Sequence, residues 1–266
     1  VVAKRPGEHS KRHAMYRVTI RYYEELNEFL PKSMRKKETE CEFPQRRSVK
    51  DIIESFGVPH TEVDLILVNG TSVDFSYLVK DGDRVSVYPV FESLPIQGVT
   101  RLRARPLREP KFVCDVHLRK LAKLLRLLGL DVHFDLQATD QTLVQISNSE
   151  KRILLTCDRR LLMRNDISRG FYVYSRQPSL QVKEVLDRFH LRGECRPFTR
   201  CLLCNGALKA VNSGDEAFTS VQAEVPPGVQ VWCRCYHLCT ACGKVYWQGS
   251  HYEKLEQKVD ALLSDT

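Results

Sequence analysis

No run of 18 apolar residues occurs in the 266-residue chain, so no segment is apolar enough over enough length to cross a bilayer as a helix. Val1 to Ala14 is basic and polar and holds no apolar h-region. The expectation is therefore an intracellular, reducing compartment: the cytoplasm, or an organelle if a precursor was trimmed ahead of Val1. A Gly-rich phosphate loop is missing, as is any Ser/His/Asp or Cys/His grouping that would mark an activated nucleophile. Membrane transport, P-loop chemistry and serine or cysteine hydrolysis are thereby set aside.

What the chain does hold is cysteine and positive charge. It has ten cysteines and a net charge of +8. Residues 1–97 carry 15 Lys/Arg against 15 Asp/Glu, whereas residues 98–266 carry 26 against 18. A neutral first part beside a basic second part points to a polyanionic partner for the second, although a merely solvated basic surface gives the same count.

Four cysteines stand in two knuckles, Cys201-Leu202-Leu203-Cys204 and Cys239-Thr240-Ala241-Cys242. Two such pairs supply the four thiolates of a tetrahedral Zn²⁺ site. Redox-active pairs and unligated core thiols are the alternatives. The 34 residues between the knuckles exceed the usual spacing, and Gly214, Pro226, Pro227 and Gly228 in that gap indicate an inserted loop or hairpin. Cys233 and Cys235 read as thiols on the strand entering the second knuckle rather than as ligands.

The first region alternates as an α+β unit does. Tyr16, Val18, Ile20 and Tyr22 alternate with Arg17, Thr19 and Arg21, and Thr39, Cys41 and Phe43 form a second such run. Ser48 caps a short helix with stripe Val49, Ile52, Ile53 and Phe56. An apolar strand (65–68), Asn69-Gly70 and Asp81-Gly82 turns and a last strand (84–90) complete the order of a β-grasp domain. Residues 95–110 read as a linker with Pro106, Pro110 and four arginines.

Beyond the linker, strands and helices alternate. Phe112 to Asp115, Asp131 to Phe134 and Arg152 to Asp158 read as strands, with helices over Leu118–Leu128 and after Thr139. That alternation predicts an α/β domain with a parallel sheet and flanking helices. Functional groups of such sheets gather at the carboxyl ends of the strands. Asp115 and Asp158 each end a strand after a cysteine, so with Cys114 and Cys157 turned to the core both acids are expected to face outward at one sheet edge. Asp140 opens the next helix and projects toward the same edge, or simply favours the helix dipole. Clustered acids in basic surroundings suit Mg²⁺ or Mn²⁺, held by Asp115 and Asp158, and hydrolysis at phosphorus. Arg119, Lys123 and Arg126 on one helix face, with Arg159, are expected to hold a phosphate backbone. Asp135 and Asp166 read as loop caps, and His133 as structural. Tyr246 and Trp247 either close the small zinc module or stack on bases.

These residues carry a resemblance. Phe112-Val113-Cys114-Asp115, Ile153 to Arg159, Arg196 to Gly206 and Cys242 to His251 resemble the PIN-like RNase family named for the C-terminal domain of the mutator exonuclease Mut-seven. The resemblance implies a PIN-like nuclease domain joined to a C-terminal zinc ribbon, behind an N-terminal ubiquitin-like domain. The implied organisation is a basic tail (1–14), the β-grasp domain (15–94), the linker (95–110), the PIN-like domain (111–194), the zinc ribbon (195–255) and a tail (256–266). It implies metal-dependent RNA cleavage with Asp115, Asp140 and Asp158 as the acids. The β-grasp domain also resembles sulfur carriers, but its last strand runs on into the linker without a terminal Gly-Gly, so a docking role toward a protein partner or RNA is expected instead. A non-catalytic RNA-binding adaptor of the same fold is the alternative reading.

Overall fold

The chain divides into two units, Val1–Pro106 and Leu107–Thr266. A computed structural model describes residues 15–89, 102, 110–249 and 251–264. The basic tail and nearly all of the 95–110 linker lie outside the described residues. Among the described residues no helix is long and apolar enough to cross a membrane.

In chain order the first unit holds β1 (Tyr16–Tyr22), β2 (Thr39–Phe43), α1 (Val49–Ser55), β3 (Val63–Val68), β4 (Thr71–Val73) and β5 (Arg84–Pro89). Period-two alternation buries Val18, Ile20 and Tyr22 and turns the residues between them to the other face. The sheet order is β2-β1-β5-β3-β4. β1 and β5 pair in parallel at the centre, and the other pairs are antiparallel. The Ser48 hydroxyl accepts from the Asp51 amide at 3.1 Å and starts α1. Tyr22 Oη donates to the Ile53 carbonyl at 3.3 Å, tying that helix to the sheet. A mixed sheet with one helix is the arrangement the hydrophobic pattern predicts.

The second unit opens with β6 (Phe112–Cys114), α2 (Arg119–Leu127), β7 (Val132–Phe134), α3 (Asp140–Ser149), β8 (Ile153–Thr156), α4 (Arg159–Leu162), β9 (Gly170–Tyr172) and α5 (Pro178–Arg188). Its four strands lie in the order β7-β6-β8-β9 and all run parallel. Alternate strand residues feed two apolar layers. Phe112, Cys114, Leu155 and Phe171 pack with Leu121 and Leu125 of α2 and with Val182 and Val185 of α5. Val113 and Leu154 pack with Leu143 of α3 and Leu161 and Leu162 of α4 on the opposite face. Cutting any of these buried leucines to alanine costs about 2–5 kcal/mol.

A smaller antiparallel sheet follows: β10 (Leu208–Asn212), then α6 (Phe218–Ala223) and α7 (Pro227–Gln230), then β11 (Cys235–Cys239) and β12 (Val245–Trp247). The long gap between the knuckles thus holds β10, two short helices and most of β11. Cys233 is buried with Val211, Val221 and Tyr236 in this module's own core.

One segment corrects the sequence reading. Residues 256–266, expected as a tail, belong largely to α8 (Tyr252–Leu263). Val259 and Leu262 join the core built by α2 and α5, with Leu255 packed against it. Arg192 Nη1 donates to the Leu263 carbonyl at 3.0 Å and closes the helix end. The zinc module is fastened to the parallel-sheet unit at Gly129, where a Cβ would stand 2.0 Å from the Arg196 carbonyl oxygen. Only glycine permits that approach, and its φ of +85° suits glycine as well.

Candidate functional site

The carboxyl ends of β6 and β8 meet at one corner. The register sets Cys114 opposite Leu155, so Asp115 is level with Thr156 and not with Asp158. This corrects the expected symmetry of the two acids. Cys114 is in the core as anticipated, but Cys157 is exposed, with its Sγ 3.2 Å from the Val173 carbonyl. Asp115 itself is only 4% exposed. The physical reason is strand length: β8 ends at Thr156, and Asp158 lies beyond it as the N-cap of α4.

Thr156 is the hub of the corner. Its hydroxyl donates to Asp115 Oδ2 and accepts from the Asp158 amide at 2.9 Å. Asp115 Oδ1 accepts from the His117 amide at 2.7 Å, and Oδ2 also accepts from the Cys157 amide at 3.4 Å. Asp158 Oδ1 accepts from the Arg160 amide at 2.8 Å. One acid is thus held nearly out of solvent by its neighbours, and the other stands exposed beside it. The His117 ring, 80% exposed, has Nδ1 3.4 Å from Asp115 Oδ1. Sequence reasoning missed Thr156; its signal was a hydroxyl two residues before a strand-end acid. His117 stands two residues after Asp115, but nothing in that spacing places its ring against the carboxylate.

Asp140 sits exposed in the first turn of α3, behind the Thr139 cap. Among the described residues, Asp115, Asp140 and Asp158 do not close into a three-carboxylate group around one point. Asp115 Oδ2 uses both lone pairs on Thr156 and the Cys157 amide, so the hard oxygens left for an Mg²⁺ or Mn²⁺ ion are Asp115 Oδ1 and the exposed Asp158 carboxylate, a donor set that fits such an ion with water completing the shell. Asp135 Oδ1 accepts from the Gln137 amide at 2.9 Å as a loop cap does, and Asp166 pairs with Arg164 at 2.8 Å.

The basic set divides. Arg119 and Lys123 are exposed on α2. Arg159 lies with its guanidinium carbon 5.2 Å from the Tyr172 ring centroid. Arg126, expected beside Arg119 and Lys123 on an RNA-facing surface, is buried. Its Nε donates to the Val132 carbonyl at 2.9 Å and its Nη1 to the Leu203 carbonyl at 2.9 Å. It is a strut between α2 and the first knuckle, closed to RNA. Burial works against its charge and lowers its pKa, while the nearby Cys114, Cys204 and Cys201 sulfurs and Asp131 favour the cation.

The four knuckle sulfurs all lie within 4.8 Å of one another. Cys201 and Cys242 sulfurs are 3.7 Å apart, and Cys204 and Cys239 sulfurs 3.4 Å. Tetrahedral Zn–S bonds of about 2.3 Å require a cage of this size, so the four cysteines are positioned for a zinc ion. A Cβ on Gly206 would meet Ala241 Cβ at 2.7 Å and Cys239 Sγ at 2.8 Å, so the cage also needs that glycine. Burial opposes ionisation of Cys201, but the Tyr246 hydroxyl and the Cys204 and Leu203 amides outweigh it and bring the thiol down to about 6. Cys204 is pushed up to about 12, by burial first and then by the neighbouring sulfurs. The Cys201 thiolate forms readily while Cys204 and Cys242 are pushed the other way, as expected of a cage that only a cation can fully ionise. Tyr246 therefore belongs to the cage wall, its Oη 3.1 Å from Cys201 Sγ, and Trp247 packs on the module's core.

The cage lies far from the acids along the strands. Asn205 Oδ1 accepts from the Val132 amide at 3.0 Å, and Arg126 in the last turn of α2 holds the knuckle carbonyls. These contacts are at the amino end of β7, opposite the edge that carries Asp115. Asp131 joins them: its Oδ1 accepts from Arg152 at 2.6 Å and from Asn205 at 2.8 Å. Burial would raise the Asp131 carboxyl, but these partners outweigh it and hold it below the ordinary range.

Two families match the chain. Mut7-C RNAse domain matches residues 110–259, and Mut7-C ubiquitin matches residues 15–95. A human protein, Exonuclease mut-7 homolog, is 26% identical over 219 residues, covering 55% of this chain and 25% of that protein. The chain thus spans about a quarter of the relative's length. No solved structure matches.

Proposed function

Because this chain belongs to the Mut7-C RNase domain family, we propose that it is a metal-dependent ribonuclease whose PIN-like domain hydrolyses RNA phosphodiesters at the Asp115–Asp158 corner. A nuclease is supported at the level of the family and of the distant exonuclease relative. The observation that carries the finer reading is the Thr156 hydroxyl, which ties the buried Asp115 carboxylate to the backbone amide of Asp158, the exposed acid two residues past the strand end.

In this reading Asp115 and Asp158 hold one Mg²⁺ or Mn²⁺. When bound, the ion supplies Lewis acidity toward the phosphate and lowers the pKa of a water. Thr156 fixes which way the Asp115 carboxylate points. Asp140 stands at the start of α3 as a third acid. Arg119 and Lys123 neutralise backbone phosphates, with Arg159 on the α4 side. Zinc is structural, since its cage is at the other end of the strands. The ubiquitin-like domain serves a protein partner or orients RNA.

The three acids do not close into one cage, and that favours a second reading, a non-catalytic RNA-binding adaptor. Cleavage of end-labelled single-stranded and structured RNA with added Mg²⁺ or Mn²⁺, beside Asp115→Asn and Asp158→Asn, separates the two. Metal-dependent cutting lost in both variants is expected; binding without cutting in all three proteins would leave the adaptor.

A further inference from the structure

β9 is short and its two faces do different work. Phe171 and Val173 enter the core shared with α2 and α5. Tyr172 turns the other way, against the α3–α4 layer. Tyr174, two residues on, is 37% exposed, and its ring meets Tyr172 edge-on with centroids 4.8 Å apart and planes at 78°. The guanidinium of Arg159 lies over the Tyr172 ring, 5.2 Å from its centroid. Register then fixes where this aromatic pair stands. Tyr172 is the β9 partner of Thr156, and Thr156 is hydrogen-bonded to Asp115 on the next strand. Asp115, Thr156 and Tyr172 are side by side on one face at one strand edge, so Tyr172 is about two strand spacings, roughly 10 Å, from Asp115.

We propose that Tyr174, backed by Tyr172 with Arg159 over the Tyr172 ring, is a seat on which one unpaired base of single-stranded RNA stacks, so that the adjoining phosphodiester lies toward Asp115 and Asp158. The proposal rests on the ribonuclease reading for the identity of the polyanion. Its chemistry comes from the site. An aromatic face accepts any base, because every base has a π-face. A guanidinium beside the ring offers a planar donor set to the neighbouring phosphate. A paired base inside a duplex cannot reach such a seat, so the site discriminates by strandedness and not by sequence. Arg159, expected from sequence as a phosphate contact, thereby acquires an aromatic partner that the sequence did not reveal.

The test measures binding without cutting. The zinc-loaded full chain is titrated, with no Mg²⁺ or Mn²⁺ added, into a short single-stranded RNA carrying 2-aminopurine and into a blunt RNA duplex of equal length. Tyr174→Leu is expected to weaken single-strand binding roughly tenfold and to remove the fluorescence quenching that stacking produces. Tyr174→Phe is expected to retain both, and duplex affinity to stay within about twofold in either variant. Single-strand affinity and quenching unchanged in Tyr174→Leu would overturn the proposal, as would failure of the wild-type chain to bind the single strand. Cleavage by Asp115→Asn is scored separately. If Asp115→Asn cuts like the wild type while Tyr174→Leu loses binding, the acid assignment fails and the seat stands. If Asp115→Asn is inactive while Tyr174→Leu binds and quenches normally, the seat fails and the nuclease stands.

Discussion

At the cysteine corner four sulfur atoms lie within 4.8 Å of one another; at the aspartate corner a single threonine hydroxyl links the Asp115 carboxylate to the backbone amide of Asp158. Both belong to one structural unit, at opposite ends of the same parallel strands. The cysteine site is local. Each knuckle presents two ligands from one turn, and only the pairing of β10 with β11 is needed to bring the knuckles together. The aspartate site is convergent, since each acid arrives on a different strand or loop and the sheet register decides what meets what. A local site is complete as soon as its one strand pair forms. A convergent site is only as complete as the register makes it, and here the register presents Thr156, not a second aspartate, to Asp115.

That contrast is broken most severely at the zinc end. Metal removal by a chelator, or Cys204→Ser, is expected to unfold the module over residues 201–247, because cage formation and folding are coupled, with metal-binding free energies of about 10–16 kcal/mol in small zinc domains. Hydrogen exchange of that segment checks this, with residues 15–89 keeping their protection as the internal control. Full protection of the module in metal-free protein would show that its apolar core, not zinc, holds it. At the other end, Thr156→Val keeps the shape and removes the bridge. Cleavage is expected to fall about 10–100-fold, the usual cost of losing a partner that orients a metal-holding side chain, while thermal stability changes little beyond the lost hydrogen bond. Activity within twofold of the wild type would remove Thr156 from the account. The smallest effects sharpen the division among the basic residues. Lys123→Gln is expected to weaken RNA binding a few-fold and to lower the salt slope by about 0.7. Arg126→Met is expected to leave RNA affinity alone and to destabilise the unit by about 1–3 kcal/mol, since the Val132 and Leu203 carbonyls lose their donor. Binding titrations across salt, beside thermal melts, tell the two behaviours apart.

Much of this was legible in the chain because its signals are local. The Cys-x-x-Cys spacing specified the cage, and strict alternation around Ile20 gave the first strand. The strand–helix alternation from Phe112 onward gave the parallel sheet, and strand-end position marked Asp115 and Asp158. What stayed hidden depends on distant partners. Arg126 shares a helix face with Lys123, and nothing in the helical period says that a carbonyl 76 residues away will cover it. β9 is three residues long and shows no period to read. The aromatic seat at Tyr172 and Tyr174 therefore emerged only from its pairing with β8. Two misses did leave a trace. Leu255, Val259 and Leu262 are spaced as a buried helix face is, which argued against a tail. Thr156 stands two residues before Asp158, at the end of a wholly buried strand.

The central claim is that the Asp115–Asp158 corner cuts RNA, and the most direct measurement is cleavage of end-labelled RNA by the purified chain with Mg²⁺, Mn²⁺ or EDTA, beside Asp115→Asn and Asp158→Asn. The account predicts metal-dependent cutting by the wild type, none by either variant, and RNA affinity in Asp115→Asn that is unchanged or raised, because a negative charge has gone. Wild-type cutting by Asp115→Asn, or RNA binding with no cutting in any of the three proteins, would contradict it.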